Sequence, residues 1–118
     1  MKKLLLSFIL VLLPFAASAD VNINETNFPD DAFRKYLADT YGEKITDNEI
    51  EGITFLVLSG LGIKDMKGIE FFTAIEDLYC EENQLTSLDV SKITSLTILW
   101  CDGNQHTCSA INGDAVGE

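Results

Sequence analysis

Histidine is almost absent from this sequence, which contains a single one among 118 residues, His106. Catalytic arrangements of the Ser–His–Asp or Cys–His type require a histidine held beside the nucleophile. His106 lies in a stretch that has no repeat, helix or strand pattern, so neither arrangement is predicted. We therefore expect a protein that is not an enzyme and that carries no catalytic residue and no cofactor.

Basic residues are also scarce, with 8 lysines and arginines against 19 aspartates and glutamates. Two of the eight, Lys2 and Lys3, precede an apolar run over 4–13, and small residues follow up to Ala19. This order is typical of a secretory signal peptide cleaved after Ala19. The run is too short to span a bilayer, and no cysteine lies near the cleavage site to carry a lipid anchor. An uncleaved anchor helix is the alternative.

Removing 19 of the 118 residues leaves 99, and the loss of two of the 8 basic residues takes the net charge from −11 to −13. This length suits one small domain with a modest core. The charge disfavours nucleic acid and anionic lipid as partners, whereas an acidic face would suit basic partners. We expect a protein that is secreted or held at the cell surface, with no membrane span after cleavage of residues 1–19.

An internal repeat dominates the rest of the chain. When the stretch 75–105 is shifted by 21 residues, five positions coincide in one register. The shared pattern, L-x-x-L-x-C-x-x-N-x-L, is the leucine-rich-repeat signature with cysteine at one core position. A weaker copy over 53–72 matches at an offset of 22, with Leu61 where the asparagine would stand. The coinciding pairs are Ile75 and Leu96, Leu78 and Leu99, Cys80 and Cys101, Asn83 and Asn104, and Gln84 and Gln105.

The sequence resembles bacterial leucine-rich-repeat proteins of the internalin-like, cell-surface kind. The resemblance rests on Leu78, Cys80, Asn83 and Leu85 and on the equivalent residues of the next repeat. The resemblance implies an α/β repeat fold: a short leucine-rich-repeat solenoid of about three coils, with parallel strands, behind an N-terminal helical cap. Members of this family are often adhesins or host-contact proteins. The resemblance therefore implies a non-enzymatic recognition or adhesion module that binds a protein partner derived from a host, and the acidic charge adds the alternative of a basic partner.

The stretch 20–52 fits the helical cap of such a solenoid. An amphipathic helix is predicted with Pro29 in its first turn and Gly42 at its end, and a Thr46–Glu49 capping box starts a second, short helix. The first coil of a solenoid has an apolar flank that needs a cover, which these helices would provide. The loop between them lacks the spacing of a calcium loop, so we predict no metal site. The predicted boundaries are 1–19 for the signal peptide, 20–52 for the cap, 53–105 for the repeats and 106–118 for an irregular tail.

Alternation along each strand assigns the side chains of the repeats to two faces. Leu78 and Cys80 would face the core, whereas Asp77, Tyr79 and Glu81 would face the concave side of the sheet. Stacked coils align equivalent outward residues in columns, and an aromatic column then lies beside an acidic one. Exposed aromatics next to carboxylates are typical of a protein-binding surface; the alternative is that the aromatic residues only pack against each other across the strands. The columns are Phe55, Asp77 and Ile98, then Val57, Tyr79 and Trp100, then Ser59, Glu81 and Asp102, and all but Ser59 are predicted binding residues.

Cysteine and asparagine occupy scaffold positions in the repeat. Cys80 and Cys101 are interpreted as small core residues, with a disulfide between them as the alternative. Cys108 is then left over and is expected to be free. Asn83 and Asn104 are predicted to satisfy backbone groups where each coil turns away from its strand.

The repeat pattern fails at His106, where an apolar residue is due. One interpretation is a truncated or frame-shifted fragment of a longer surface protein, with no independent function; the other is a tail that folds back irregularly. An uncapped last coil, which contains Trp100, would invite self-association through its strand edge. The weakest alternative is an acidic hydrolase using Glu81 and Asp102, because an open sheet does not desolvate a carboxylate.

Overall fold

A computed structural model describes residues 19–105 and the short strand at 116–117. The predicted signal peptide lies outside this part except for Ala19, and no described helix is long and apolar enough to cross a membrane. The chain starts with β1 (Val21–Asn22), α1 (Asp31–Tyr41), β2 (Lys44–Ile45) and α2 (Asp47–Gly52). It continues with β3 (Phe55–Val57), a 3₁₀ turn (Ile69–Phe71), β4 (Asp77–Tyr79), β5 (Ile98–Trp100) and β6 (Val116–Gly117).

Helix α1 is capped by Asp30. The Asp30 carboxylate accepts hydrogen bonds from the backbone N–H groups of Ala32 at 2.9 Å and Phe33 at 3.0 Å. The expectation that Pro29 lies in the first helical turn is therefore wrong, because the cap residue follows it. The predicted end of the helix at Gly42 is confirmed.

The capping box predicted for α2 is present. The Thr46 hydroxyl accepts a hydrogen bond from the backbone N–H of Glu49 at 3.3 Å, and the Thr46 N–H donates to the Glu49 carboxylate at 2.8 Å. Strand β1 pairs antiparallel with β2, with Val21 opposite Ile45, and the sequence gives no sign of this pairing. Strands of two residues contain too few side chains to show an alternation in the sequence.

The repeats form one parallel sheet in the order β3-β4-β5-β6. Leu56 pairs with Leu78, and Leu78 pairs with Leu99, so the register reproduces the offsets of 22 and 21 residues seen in the sequence. These three leucines are buried, whereas their neighbours along each strand are at least partly exposed. The core extends from the sheet into the preceding helices. Its largest fully buried side chains are Phe28, Phe33, Phe72, Leu37, Ile45, Leu58, Ile63, Ile69, Ile75, Leu78, Ile93 and Leu99.

The connections behind the strands differ between repeats. The segment between β3 and β4 contains the 3₁₀ turn. Between β4 and β5 the chain makes turns instead, in which the N–H of Ile93 donates to the carbonyl of Val90 at 3.0 Å and that of Leu96 donates to Ile93 at 3.1 Å. Val90 and Ile93 are buried, so these turns close the apolar side of the sheet.

Strand β6 corrects the expectation of a wholly irregular tail. Val116 pairs with Leu99 and Gly117 pairs with Trp100, so a fourth strand extends the parallel sheet beyond β5. The strand edge that the sequence leaves open at Trp100 is occupied at these two residues, and self-association through it has no support in the structure. A two-residue strand outside the repeat register leaves no pattern to detect. Residues 106–115, including His106, lie outside the described part.

The helices and the first repeat meet at Phe28. Its buried ring lies with centroid distances of 5.5 Å to Phe33, 5.7 Å to Phe71 and 6.3 Å to Phe72. Gly68 contacts the same ring and has a φ of +107°. This aromatic cluster fixes the position of α1 relative to the 3₁₀ turn of the first repeat.

Asp30 joins the same two parts by hydrogen bonds. One of its carboxylate oxygens caps α1, and the other accepts from the backbone N–H groups of Lys64 at 2.8 Å and Asp65 at 3.0 Å. The sequence identifies Asp30 only as an acidic residue near a helix N-terminus. The second role depends on how the helix docks, which no local pattern reveals.

Candidate functional site

The exposed face of the sheet, which the sequence predicts to be concave, presents the predicted binding residues in aligned columns. The register places Phe55, Asp77 and Ile98 in one column and Val57, Tyr79 and Trp100 in the next. Neighbouring strands lie about 5 Å apart, so side chains within a column are in reach of each other. The repeat spacing therefore predicts the relative positions of these six side chains correctly.

This face exposes large apolar side chains. Phe55 is 61% exposed, Val57 49% and Ile98 37%, and the side chains of Tyr79 and Trp100 are partly exposed. Apolar side chains grouped on one exposed face mark interaction sites in soluble proteins. Among residues 19–105, the ring–ring contacts all involve Phe28, so packing of Tyr79 against Trp100 does not account for the aromatic column.

The third column continues the sheet beyond the strand ends. The N–H of Gly60 donates to the carbonyl of Glu81 at 3.0 Å, and the N–H of Glu82 donates to the carbonyl of Asp102 at 2.8 Å. The Ser59 hydroxyl donates to the Glu81 carboxylate. Glu81 and Asp102 thus stand beside the aromatic column as an acidic stripe. Within the described ranges, no three acidic, histidine or cysteine residues are grouped as metal ligands.

A groove of about 330 Å³ runs alongside β3. One wall is formed by β3 and the residues just before it, and the other contains Tyr36 and Tyr41 of α1. Nothing in the sequence around the two tyrosines indicates that they flank Phe55. Their position follows from the docking of α1 through Phe28 and Asp30.

Asn83 has the predicted scaffold role. Its side-chain oxygen accepts hydrogen bonds from the backbone N–H groups of Leu61 at 3.0 Å and Ile63 at 2.9 Å, while its side-chain nitrogen donates to the carbonyl of Leu58 at 2.8 Å. These partners belong to the preceding repeat. Asn104 makes equivalent bonds to the second repeat. The asparagines therefore satisfy backbone groups that the turns leave unpaired.

The cysteines differ from the prediction. Cys80 is a free, buried thiol, whereas Cys101 is buried and disulfide-bonded. A disulfide between Cys80 and Cys101 is therefore wrong, and so is the interpretation of Cys101 as a thiol that only packs. Equivalent side chains on parallel strands point in the same direction, which disfavours a bond between them. The partner of Cys101 and the predicted free thiol of Cys108 lie outside the described residues.

Cys80 is expected to be chemically inert in the folded protein. Burial, with a smaller contribution from the charge of Glu81, raises the pKa of its thiol from 9.0 to about 12. Only the thiolate is nucleophilic, so at pH 8 alkylation of Cys80 by iodoacetamide should be roughly 1000-fold slower than in unfolded protein. Mass spectrometry of the Cys80 peptide measures both rates. Equal rates with and without guanidinium would contradict this burial.

Comparisons with known proteins agree with the repeat pattern. No protein-family model matches the chain. Internalin J of Listeria monocytogenes serotype 4b (strain F2365) is 38% identical over 71 residues, which cover 57% of this chain and 8% of that protein. Among solved structures, the functional domain of InlJ from Listeria monocytogenes, which includes a cysteine ladder, aligns with a TM-score of 0.64 and 34% identity over 75% of this chain and 20% of that chain.

Two further internalins give similar alignments. InlC2 from Listeria monocytogenes strain 4b F2365 aligns with a TM-score of 0.63 and 26% identity over 75% of this chain and 41% of that one. InlF from the same strain aligns with a TM-score of 0.62 and 28% identity over 77% of this chain and 28% of that one. In sequence and in fold, the chain is similar to these internalins.

The expected resemblance is thus confirmed, and the internalin-like chain has a fold of the leucine-rich-repeat type built on a parallel sheet. It spans less than a tenth of the length of Internalin J and less than half of each solved chain named above. In this internalin-like protein, Cys80 and Cys101 occupy equivalent positions in successive repeats, as the offset of 21 residues predicts.

Proposed function

We propose that this internalin-like chain is a non-enzymatic protein-binding module whose recognition surface is the concave face of its parallel sheet. The observation that carries the proposal is the exposure of Phe55, Val57 and Ile98 on one face. Three neighbouring strands present these side chains in register with Tyr79 and Trp100. Such a face combines apolar area with aromatic anchors, which supply most of the binding energy in protein interfaces.

The acidic stripe gives the surface a preference in charge. Glu81 and Asp102 flank the aromatic column, and Asp77 lies within the apolar one. Carboxylates at the rim of an interface select basic partners and accelerate association more than they add affinity. The proposed partner is therefore a protein that presents a basic surface around an apolar contact.

The proposal extends to the organisation of the chain. Residues 20–52 would act as the N-terminal cap of a short solenoid formed by 53–105, because Phe28 and Asp30, which directly precede α1, contact the first repeat. Export through a signal peptide over 1–19, with a location outside the cytoplasm, is part of the same proposal.

The test uses the protein without residues 1–19, immobilised to capture partners from extracellular and cell-surface protein fractions. Binding of a captured partner is then compared between the wild type and Trp100→Ala. We expect the substitution to weaken binding about 30-fold, the loss of about 2 kcal/mol typical of an aromatic anchor. Circular dichroism checks that the variant is folded.

A matched pair of aliphatic residues provides the control. Ile98 and Leu61 are both 37% exposed, but only Ile98 lies in the columns of the concave face. Ile98→Ser should weaken the captured complex, whereas Leu61→Ser should leave it unchanged. Equal affinities of wild type, Trp100→Ala and Ile98→Ser would remove the concave face as the binding surface.

The acidic hydrolase remains a separate candidate with its own test. The Glu81 carboxylate accepts a hydrogen bond from the Ser59 hydroxyl. Glu81 is partly exposed and Asp102 is exposed, so neither is enclosed in a cleft. Any hydrolytic activity that survives Glu81→Gln and Asp102→Asn would belong to other residues.

A further inference from the structure

Strand β3 has a free backbone edge. The carbonyl of Thr54 accepts hydrogen bonds from Glu76 at 2.6 Å and Asp77 at 3.2 Å, and the N–H of Leu58 donates to Tyr79 at 2.7 Å. Residues 54 and 58 therefore face β4. Backbone groups alternate in direction along a strand, so Leu56 also faces β4, whereas Phe55 and Val57 direct their N–H and C=O groups away from it.

Within residues 19–105, no other element pairs with this edge. Strand β3 is the first in the sheet order, and no hydrogen bond from the helices reaches the backbone of Phe55 or Val57. The groove beside Tyr36 and Tyr41 opens along the same edge.

The charges around the groove favour a basic occupant. Glu49 and Glu51 are exposed on α2, which ends at the groove, and Asp77 lies beside Phe55 on the next strand. Glu49 is close enough to contribute, after burial and the charge of Tyr36, to a raised pKa of Tyr41. A second copy of this acidic chain would bring the same carboxylates together, whereas lysine or arginine side chains would be attracted.

We propose that the free edge of β3 is a docking site for an extended basic segment of a partner protein, which adds to the sheet as a further strand. Main-chain hydrogen bonds to Phe55 and Val57 would give affinity, and alternate side chains would contact the exposed Phe55 and Val57 side chains. Because β3 is only three residues long, a strand whose side chains do not fit the site would gain few hydrogen bonds by pairing with it. This site shares the side chains of Phe55 and Val57 with the concave face, but it does not include Tyr79 or Trp100.

The test measures the binding of a synthetic Lys-Val-Lys-Val-Lys-Val peptide by NMR. We expect the peptide to shift the amide signals of Phe55 and Val57 and to slow their hydrogen exchange at least 10-fold, with little change at Leu56. A peptide with glutamate in place of lysine should not bind. A peptide N-methylated at alternate residues, which lacks the hydrogen bonds on one edge, should bind at least 10-fold more weakly.

Two variants of Val57 separate the contribution of its backbone N–H from that of its side chain. Val57→Pro removes the outward N–H but no bond to β4, and an edge position of this kind tolerates proline. Val57→Thr keeps the N–H and the β-branched shape. We expect Val57→Pro to abolish peptide binding and Val57→Thr to retain most of it, while Trp100→Ala, which tests the concave face, leaves it unchanged.

Three outcomes would overturn the proposal. Equal binding of the N-methylated peptide would show adsorption by charge alone, and this result does not depend on the folding of any variant. Slow exchange of the Phe55 and Val57 amides in the free protein would show that the edge is already occupied. A dimer of the wild-type protein that Val57→Pro converts to a monomer would assign the edge to a second copy.

Discussion

Replacing Gly68 by alanine is expected to destabilise the protein by about 3 kcal/mol, through two separate costs. The φ of Gly68 is +107°, in the left-handed region that costs a residue with a side chain about 1–2 kcal/mol. A Cβ would also lie 2.2 Å from the ring of Phe28 and 2.6 Å from the carbonyl oxygen of Asn27. The ring and the backbone must then move apart, which costs a further ~1–3 kcal/mol. Urea unfolding followed by circular dichroism measures the loss as a lower midpoint.

Gly60 provides the matched control because it also has a positive φ, but an added Cβ there would have free space around it. Its φ is +70°, and a Cβ there would meet no atom within 4 Å. Gly60→Ala should therefore cost only the conformational part, about 1 kcal/mol. Equal losses in the two variants would contradict the close approach of Phe28 to Gly68.

Asn83→Ala is expected to cost a similar amount, about 3 kcal/mol. The side chain is 6% exposed, so its removal leaves the N–H groups of Leu61 and Ile63 and the carbonyl of Leu58 without a partner away from water. Each buried group left unpaired costs about 1–3 kcal/mol, reduced where water enters the space. Thermal unfolding measures the loss, and hydrogen exchange should show faster exchange at Leu61 and Ile63.

Asn104 tests whether this cost scales with the number of bonds. Its oxygen accepts one backbone N–H, from Leu85, where Asn83 accepts two, and its side chain is partly exposed. Asn104→Ala should therefore destabilise the protein by about half as much, ~1–2 kcal/mol. A larger loss for Asn104→Ala than for Asn83→Ala would be inconsistent with this account.

The parts of the structure that the sequence predicts are those governed by periodicity. The offset between Leu56, Leu78 and Leu99 fixes the strand register, and with it the columns of the concave face. Periodicity works here because each repeat contacts its neighbours through equivalent positions, so one spacing determines all the contacts. The capping box at Thr46 and Glu49 was predictable for a similar reason, since both partners lie within one helical turn.

The features that the sequence did not predict depend on contacts between distant segments. Asp30 binds the N–H groups of Lys64 and Asp65, and Tyr36 comes to line a groove beside Phe55, because α1 docks in one particular orientation. Nothing near Asp30 in the sequence encodes that orientation. The disulfide of Cys101 was missed because three cysteines allow several pairings and spacing alone does not choose between them.

The asparagine bonds give the assembly of the chain a direction. Asn83 completes the turn at 58–63, which belongs to the repeat made before it, and Asn104 does the same for the second repeat through Leu85. During synthesis, the backbone N–H groups of the first turn therefore lack their hydrogen-bond acceptor until Asn83 leaves the ribosome, about 20 residues later. Because each of these two repeats is completed by its successor, we expect native structure to grow from the N-terminus, with the newest repeat the least protected.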